Sequence, residues 1–352
     1  MSGDSRWPVP GFRHFETLHC VTGSLRHVYA WAGHDLSEEL LLGLGEGVGF
    51  AYFRFKNQIP FLGGRAQPKP SMEELACRRM GVGIEPRTSS SDVAAERSLK
   101  GELEAGHPVM IQLDMGYLPY FDFGGSDYHF GGHVVVVCGK DEDRGEYLIA
   151  DRDAELHAVP APALSAARGS KHRPFPPGRA WWRFEFAGFH EPSADDILIA
   201  LGRQCSSMLS PPISNLGVSG VRKAAGDCLR WPELLKAEEL AATLFNIHIF
   251  ASEKGGSGGG LFRYMFAAFL LEAGDRCGGG AGPALRKLAG QFRALGDAWE
   301  EVGSIGRMAS EGSGMEAGAA RAALPKLSKS LEAAAALEGD AWGALALVLE
   351  AG

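Results

Sequence analysis

One stretch limits the possible folds more than any other: Gly131-Gly132-His133, then four consecutive valines from Val134 to Val137, the polar segment KDEDRG, and YLIAD ending at Asp151. Two β-forming runs separated by charged turn residues read as a hairpin, and its second arm brings Asp151 back beside the start of the first arm at His133. A chain that sets an imidazole and a carboxylate on adjacent strands needs a sheet to hold them. Val48–Phe55 and Val109–Leu113 supply further apolar runs of strand length.

Upstream of these runs the pattern is helical. In CVTGSLRHVYAWAG, Leu25, Val28, Tyr29 and Ala32 recur at helical spacing and Gly33 stops the pattern, so a short helix begins at or near Cys20. Asp35 followed by Glu38 resembles a capping box opening a second helix through Leu42. Helix first and sheet second makes an α+β domain. Between Asp151 and Trp181, VPAPALSAARGSKHRPFPPGRA has no clear period and reads as a surface connection, which puts a domain boundary near residue 165. Beyond it, TLFNIHIF and WWRFEF read as strands. The rest, as in LFRYMFAAFLLEAG and LPKLSKSLEAAAALEG, has helical spacing, so residues 166–352 form a mainly helical domain after a first domain over 1–165.

The 352 residues suit two cores of ordinary size. A net charge of −8 without a basic run argues against nucleic acid or an anionic membrane surface as partner and mildly favours a cationic small molecule. The six cysteines show no paired spacing that would suggest zinc or a disulfide framework, and the amino terminus MSGDSRWPVPGF has no basic region followed by an apolar stretch. With no apolar run long enough to span a bilayer, a reducing cytoplasm is the expected compartment.

Cysteine chemistry needs a thiolate, and the amino terminus of a helix favours one through its unpaired N–H groups and dipole. Cys20 has that placement. His133, held on a rigid strand, is the partner base, and Asp151 across the hairpin orients it, with Asp153 as the competing carboxylate on the same face. Lone free cysteines and histidines are more often core residues, and Cys138, inside the valine strand, reads that way together with Cys77. For Cys20 the helix start and the His–hairpin–Asp arrangement together outweigh that reading.

These residues also carry a family likeness. His19-Cys20, SLRHV, GHDLSEELLLGLGEGVGF, LPYF, FGGHVVVV and IADRD resemble the butirosin biosynthesis protein H amino-terminal family over roughly residues 14 to 160, and NLGVSGVRK with GGSGGGLFRYMFAAFLLEAG is similar to the helical domain of unknown function that usually follows it. The resemblance implies a papain-like fold akin to the bacteriocin leader peptidases, with Cys20, His133 and Asp151 as its triad. It implies as activity transfer of an acyl or aminoacyl group from an acyl carrier protein to the amine of an aminoglycoside-type small molecule, as in antibiotic biosynthesis. No cofactor of the chain's own is implied; phosphopantetheine enters only as the arm of the acyl donor. The leader peptidases carry an oxyanion-hole glutamine six residues before the cysteine, where this chain has His14. His14, Thr17 and His19 are therefore the alternatives for a second oxyanion donor beside the Cys20 N–H.

Rival motifs are weaker. Gly255–Gly259 matches the G-x-S-x-G elbow around Ser257, but the last histidine, His248, precedes that serine, which is the wrong order for such a triad. Gly256, Ser257 and Gly258 form instead a flexible loop, with anion binding at the start of the following helix as a second reading. GLGEGVG lacks the lysine and spacing of a nucleotide loop and reads as a packed turn, while the FGG between His129 and His133 breaks the helix a metal pair would need. Acyl transfer is the leading expectation, hydrolysis of an amide or peptide by the same triad the nearest alternative, and a non-catalytic binding or assembly protein the third.

Overall fold

The computed structural model describes residues 8–55, 58–65, 69–125, 127–252, 254–310 and 317–351; the amino-terminal residues 1–7, read above for a targeting signal, lie outside them. Among the described residues eight strands form two sheets. β1 (Ala51–Phe53) and β2 (Phe61–Gly63) pair with each other, and β3 (Gly83–Arg87), β4 (Val109–Leu113), β5 (His133–Asp141), β6 (Glu146–Ala150), β7 (Leu156–Pro160) and β8 (Trp181–Glu185) form one antiparallel sheet in the order β3-β8-β4-β5-β6-β7. The helices that accompany them are α1 (Cys20–Trp31), α2 (Glu38–Leu44), α3 (Met72–Arg79), α4 (Asp92–Glu104) and α5 (Ala161–Gly169).

Two compact units emerge, one of Met1–Leu41 with Met80–His190 and one of Leu42–Arg79 with Glu191–Gly352. In the first, alternate residues of the sheet, Val109, Ile111 and Leu113 on β4, Val135 and Val137 on β5, Tyr147 and Ile149 on β6, join Leu99, Leu103, Leu164 and Ala167 from α4 and α5 in one core. α1 packs against β5. The hairpin forms as expected: Asp141 pairs with Glu146 across the polar turn and Val137 with Ile149.

The second unit is helical around the β1-β2 pair, with α6 (Ala194–Leu209), α7 (Gly217–Cys228), α8 (Trp231–Leu234), α9 (Ala237–Ala251), α10 (Lys254–Ser257), α11 (Arg263–Cys277), α12 (Gly282–Ser310) and α13 (Ala317–Ala351). At its centre the Arg263 guanidinium, wholly buried, pairs with Glu338 at 2.6 Å and donates to the carbonyls of Leu261 and Gly49. Trp299 and Trp342 donate their indole N–H groups to the two oxygens of the same carboxylate, at 2.8 and 2.6 Å, so this buried charge is held by three donors, two indoles and the guanidinium. The chain is thus α+β, a papain-like cysteine domain followed by a mainly helical part.

Several expectations are corrected. The segment read as a connection holds the strand β7 and the helix α5, while WWRFEF forms the strand β8 as expected; residue 165 falls inside α5, whose Leu164 and Ala167 are in the first core. The two compact units therefore part elsewhere than a single cut at 165: residues to His190 belong with the first and Leu42–Arg79 with the second. TLFNIHIF is not a strand but lies in α9, where Leu240, Thr243, Leu244, Ile247 and His248 are buried at helical spacing; tertiary burial of one helical face outweighs the β-propensity of its aromatic and β-branched residues. Val48–Phe55 contributes only the three residues of β1. The Asp35–Glu38 box does not form, because Ser37 caps α2 by accepting the Leu40 N–H at 3.0 Å while Asp35 pairs with Arg13.

Candidate active site

The cysteine sits on the first residue of α1. His19 precedes it in an extended conformation (φ −134°) as the N-cap, and the thiol is half-buried. What holds this turn is Glu38. Its carboxylate, 2% exposed, accepts the backbone N–H of Leu18 at 2.7 Å and of His19 at 3.1 Å, and the Thr22 hydroxyl at 2.8 Å. Two consecutive N–H groups ahead of the helix are thus used up before the nucleophile is reached, and a negative charge lies at the amino termini of both α1 and α2, where the helix dipoles favour it.

The other half of the site is on the sheet. His133 opens β5 and Asp151 follows directly on β6; continuing the ladder from Val137–Ile149 puts Asp151 opposite Val135, so that it shares a face with His133 two residues away. The His133 Nε2 to Asp151 Oδ2 distance is 2.7 Å, with both side chains almost wholly buried. Tyr120 donates its hydroxyl to the same carboxylate oxygen at 2.9 Å, and the Arg152 backbone N–H donates to Oδ1 at 2.8 Å. With Nε2 engaged by Asp151, Nδ1 is the ring nitrogen left for the thiol of Cys20, and the two groups shift each other's proton affinity, His133 lowering the thiol and Cys20 raising the imidazole.

The electrostatics follow from this arrangement. Burial by itself pushes the Cys20 thiol up, but the imidazoles of His19 and His133 outweigh it and hold the thiol well below its ordinary value. For His133 burial disfavours the imidazolium, yet the Asp151 carboxylate and then the Cys20 sulfur more than offset that and raise it to about 9. Asp151 is held below the usual carboxylate range, burial being overcome by His133, Arg152 and Tyr120. Both shifts favour a thiolate beside an imidazolium, the reactive form of a cysteine nucleophile. By contrast burial raises Cys138 to about 12, as suits an inert core thiol.

Comparison with known families agrees with the motifs. The model described as butirosin biosynthesis protein H, N-terminal, matches residues 19–152, and the one described as a domain of unknown function (DUF4872) matches residues 162–345. The chain belongs to the butirosin biosynthesis protein H-like family. The first match opens one residue before Cys20 and closes one residue after Asp151, so it takes in all three side chains of the site. Membership relates the chain to antibiotic biosynthesis. No curated protein matches it.

The remaining candidates separate by what already occupies them. The Nε2–H of His14 donates to the Asp153 carbonyl at 2.8 Å, so that N–H is already used and is not turned to an oxyanion. The ring of His19 lies against Thr22, its Nδ1 3.3 Å from the hydroxyl oxygen, and its imidazole helps to lower the thiol of Cys20. Thr17 differs: its hydroxyl is buried, without a hydrogen-bond partner, and lies against Gly23, one turn along α1 from Cys20. The competitor Asp153 faces outward and binds His157 at 2.8 Å, leaving Asp151 alone on His133. Ser257 is wholly buried at the end of α10, which follows a helix rather than a strand, so neither the elbow nor a surface anion loop through Gly256, Ser257 and Gly258 is formed. No group of three or more histidine, cysteine or acidic side chains among the described residues is placed to hold a metal, and no helix there is long and apolar enough to cross a membrane.

Two contributors escape a reading of the sequence. Tyr120, in the LPYF motif, gives no local sign that its hydroxyl reaches Asp151. Glu38 is hidden by the plausible capping role its spacing offers.

Proposed function

We propose that the chain is a cysteine-dependent acyltransferase that takes an acyl or aminoacyl group from a carrier-protein thioester and passes it to an amine. The observation that carries this is an imidazole fixed between a carboxylate at 2.7 Å and a half-buried thiol at the start of a helix. The Cys20 thiolate adds to the thioester carbonyl; the carbon–sulfur bond to the carrier's phosphopantetheine arm breaks, and the departing sulfur takes the proton of the His133 imidazolium. The incoming amine then adds to the acyl-Cys20 carbonyl, His133 accepts its proton, and the Cys20 thiolate leaves as the amide forms. The developing oxyanion in each step is served by the Cys20 N–H and the unpartnered Thr17 hydroxyl.

Hydrolysis would use the same residues with water as acceptor. Family membership favours transfer, since the family is described by a biosynthetic protein. A binding protein that merely kept the fold would have no need of a thiol paired with a buried histidine and carboxylate. The test is partition of the acyl-enzyme: acylated protein is split between buffer alone and buffer with a panel of polyamine and aminoglycoside acceptors. Amide product in preference to free acid supports transfer; free acid at the same rate with and without amines makes the enzyme a hydrolase.

A further inference from the structure

One buried polar network that the triad does not use runs from Glu38 through Thr22 to the ring of His19, the residue before Cys20. Three donors converge on its carboxylate: the N–H groups of Leu18 and His19 and the hydroxyl of Thr22. The Thr22 hydroxyl has one proton, and the carboxylate at 2.8 Å takes it; its oxygen is then an acceptor for the His19 ring, whose Nδ1 lies 3.3 Å away. His19 directly precedes Cys20 in the chain, and its imidazole is the leading side-chain influence that lowers the thiol. All four residues of this chain belong to α1, its cap or the first turn of α2, and Thr22, Glu38 and His19 are buried.

We propose that Glu38 is a positioning residue for the Cys20 site: through the 18–19 turn and through Thr22 it fixes His19 as a second imidazole partner of the thiol, beside His133. The inference rests on Cys20 being the nucleophile. Physically, a long-range carboxylate is needed because an N-cap imidazole next to its own cysteine has free rotation about its side-chain bonds; one hydrogen bond to Thr22, itself tied to a buried charge, removes that freedom before substrate binds. Glu38 also occupies the two N–H groups that directly precede that of Cys20.

Thr22→Val is the direct test, since it keeps the volume and leaves Glu38 on the backbone turn but cuts the link to His19. The rate of Cys20 alkylation by iodoacetamide, followed by mass mapping of the Cys20 peptide, is measured against pH for the wild type, Thr22→Val, Thr22→Ser, Glu38→Gln and His133→Ala. On the acid limb of the profile Thr22→Val and Glu38→Gln should react about threefold to tenfold more slowly, as expected for one lost hydrogen bond near a charge, while Thr22→Ser keeps the wild-type profile. A folded Thr22→Val with the wild-type profile overturns the proposal, and it decides the matter even if Glu38→Gln does not fold. If the wild type itself titrates as an ordinary thiol and His133→Ala changes nothing, Cys20 is not activated at all and the proposed function fails together with this inference; a shift in His133→Ala alone leaves that function standing and removes only the role of Glu38.

Discussion

Nε2 of His133 lies 2.7 Å from Oδ2 of Asp151, so the imidazole presents its other nitrogen to Cys20. This single contact fixes the tautomer, the ring orientation and the sign of the charge at the site.

Asp151→Asn keeps an oxygen able to accept from Nε2 and removes the charge. Rate should fall about tenfold to a hundredfold, the worth of a charged hydrogen bond, while the fold is kept. Asp151→Ala should cost more, and Asp153→Ala should turn over normally because Asp153 is engaged with His157. Steady-state kinetics of the three variants checks this ordering.

The pH dependence has a defined sign. The first half-reaction needs a thiolate and an imidazolium together, and His133 loses its proton through about 9. Acyl transfer should therefore decline as pH rises through that value, whereas alkylation of Cys20, which needs only the thiolate, should not. In Asp151→Asn the alkaline limb should move to lower pH, since the carboxylate is the main cause of the raised value. Parallel profiles of the two reactions measure it.

Thr17→Val should separate activity from stability. The hydroxyl is buried without a partner, so replacing it with a methyl should leave stability unchanged or raise it by roughly 1 kcal/mol. If that hydroxyl serves the oxyanion, turnover should nevertheless drop by about a hundredfold or more. Thermal melts beside kcat give both numbers.

In the second unit, Glu338→Ala leaves the Arg263 guanidinium buried without its counter-charge and two indole N–H groups without acceptors. A loss of roughly 3–5 kcal/mol is expected, read by denaturant unfolding.

The parts of the fold that were legible in the sequence are those in which local pattern and burial agree. The valine run, the polar turn and YLIAD could only pair one way without exposing Val135 and Val137, and α1 was bounded by Cys20 and Gly33. Where local pattern and tertiary burial conflict, the reading failed. TLFNIHIF has strand composition but spends it on one face of α9, and the Pro- and Ala-rich 159–180 stretch hides the end of a strand and a helix because so few of its residues are buried. In the site, the hairpin announced His133 and Asp151, whereas Glu38 and Tyr120 act across 19 and 31 residues of chain, a separation that no local spacing encodes.

The central claim is that Cys20 becomes acylated with His133 as its proton partner. Intact-mass analysis after incubation with acyl-carrier thioesters addresses it directly: the wild type should gain the mass of one acyl group, mapped to the Cys20 peptide, Cys20→Ser should gain none, and His133→Ala should acylate far more slowly. A mass gain that persists in Cys20→Ser, or turnover in that variant equal to the wild type, would contradict the account.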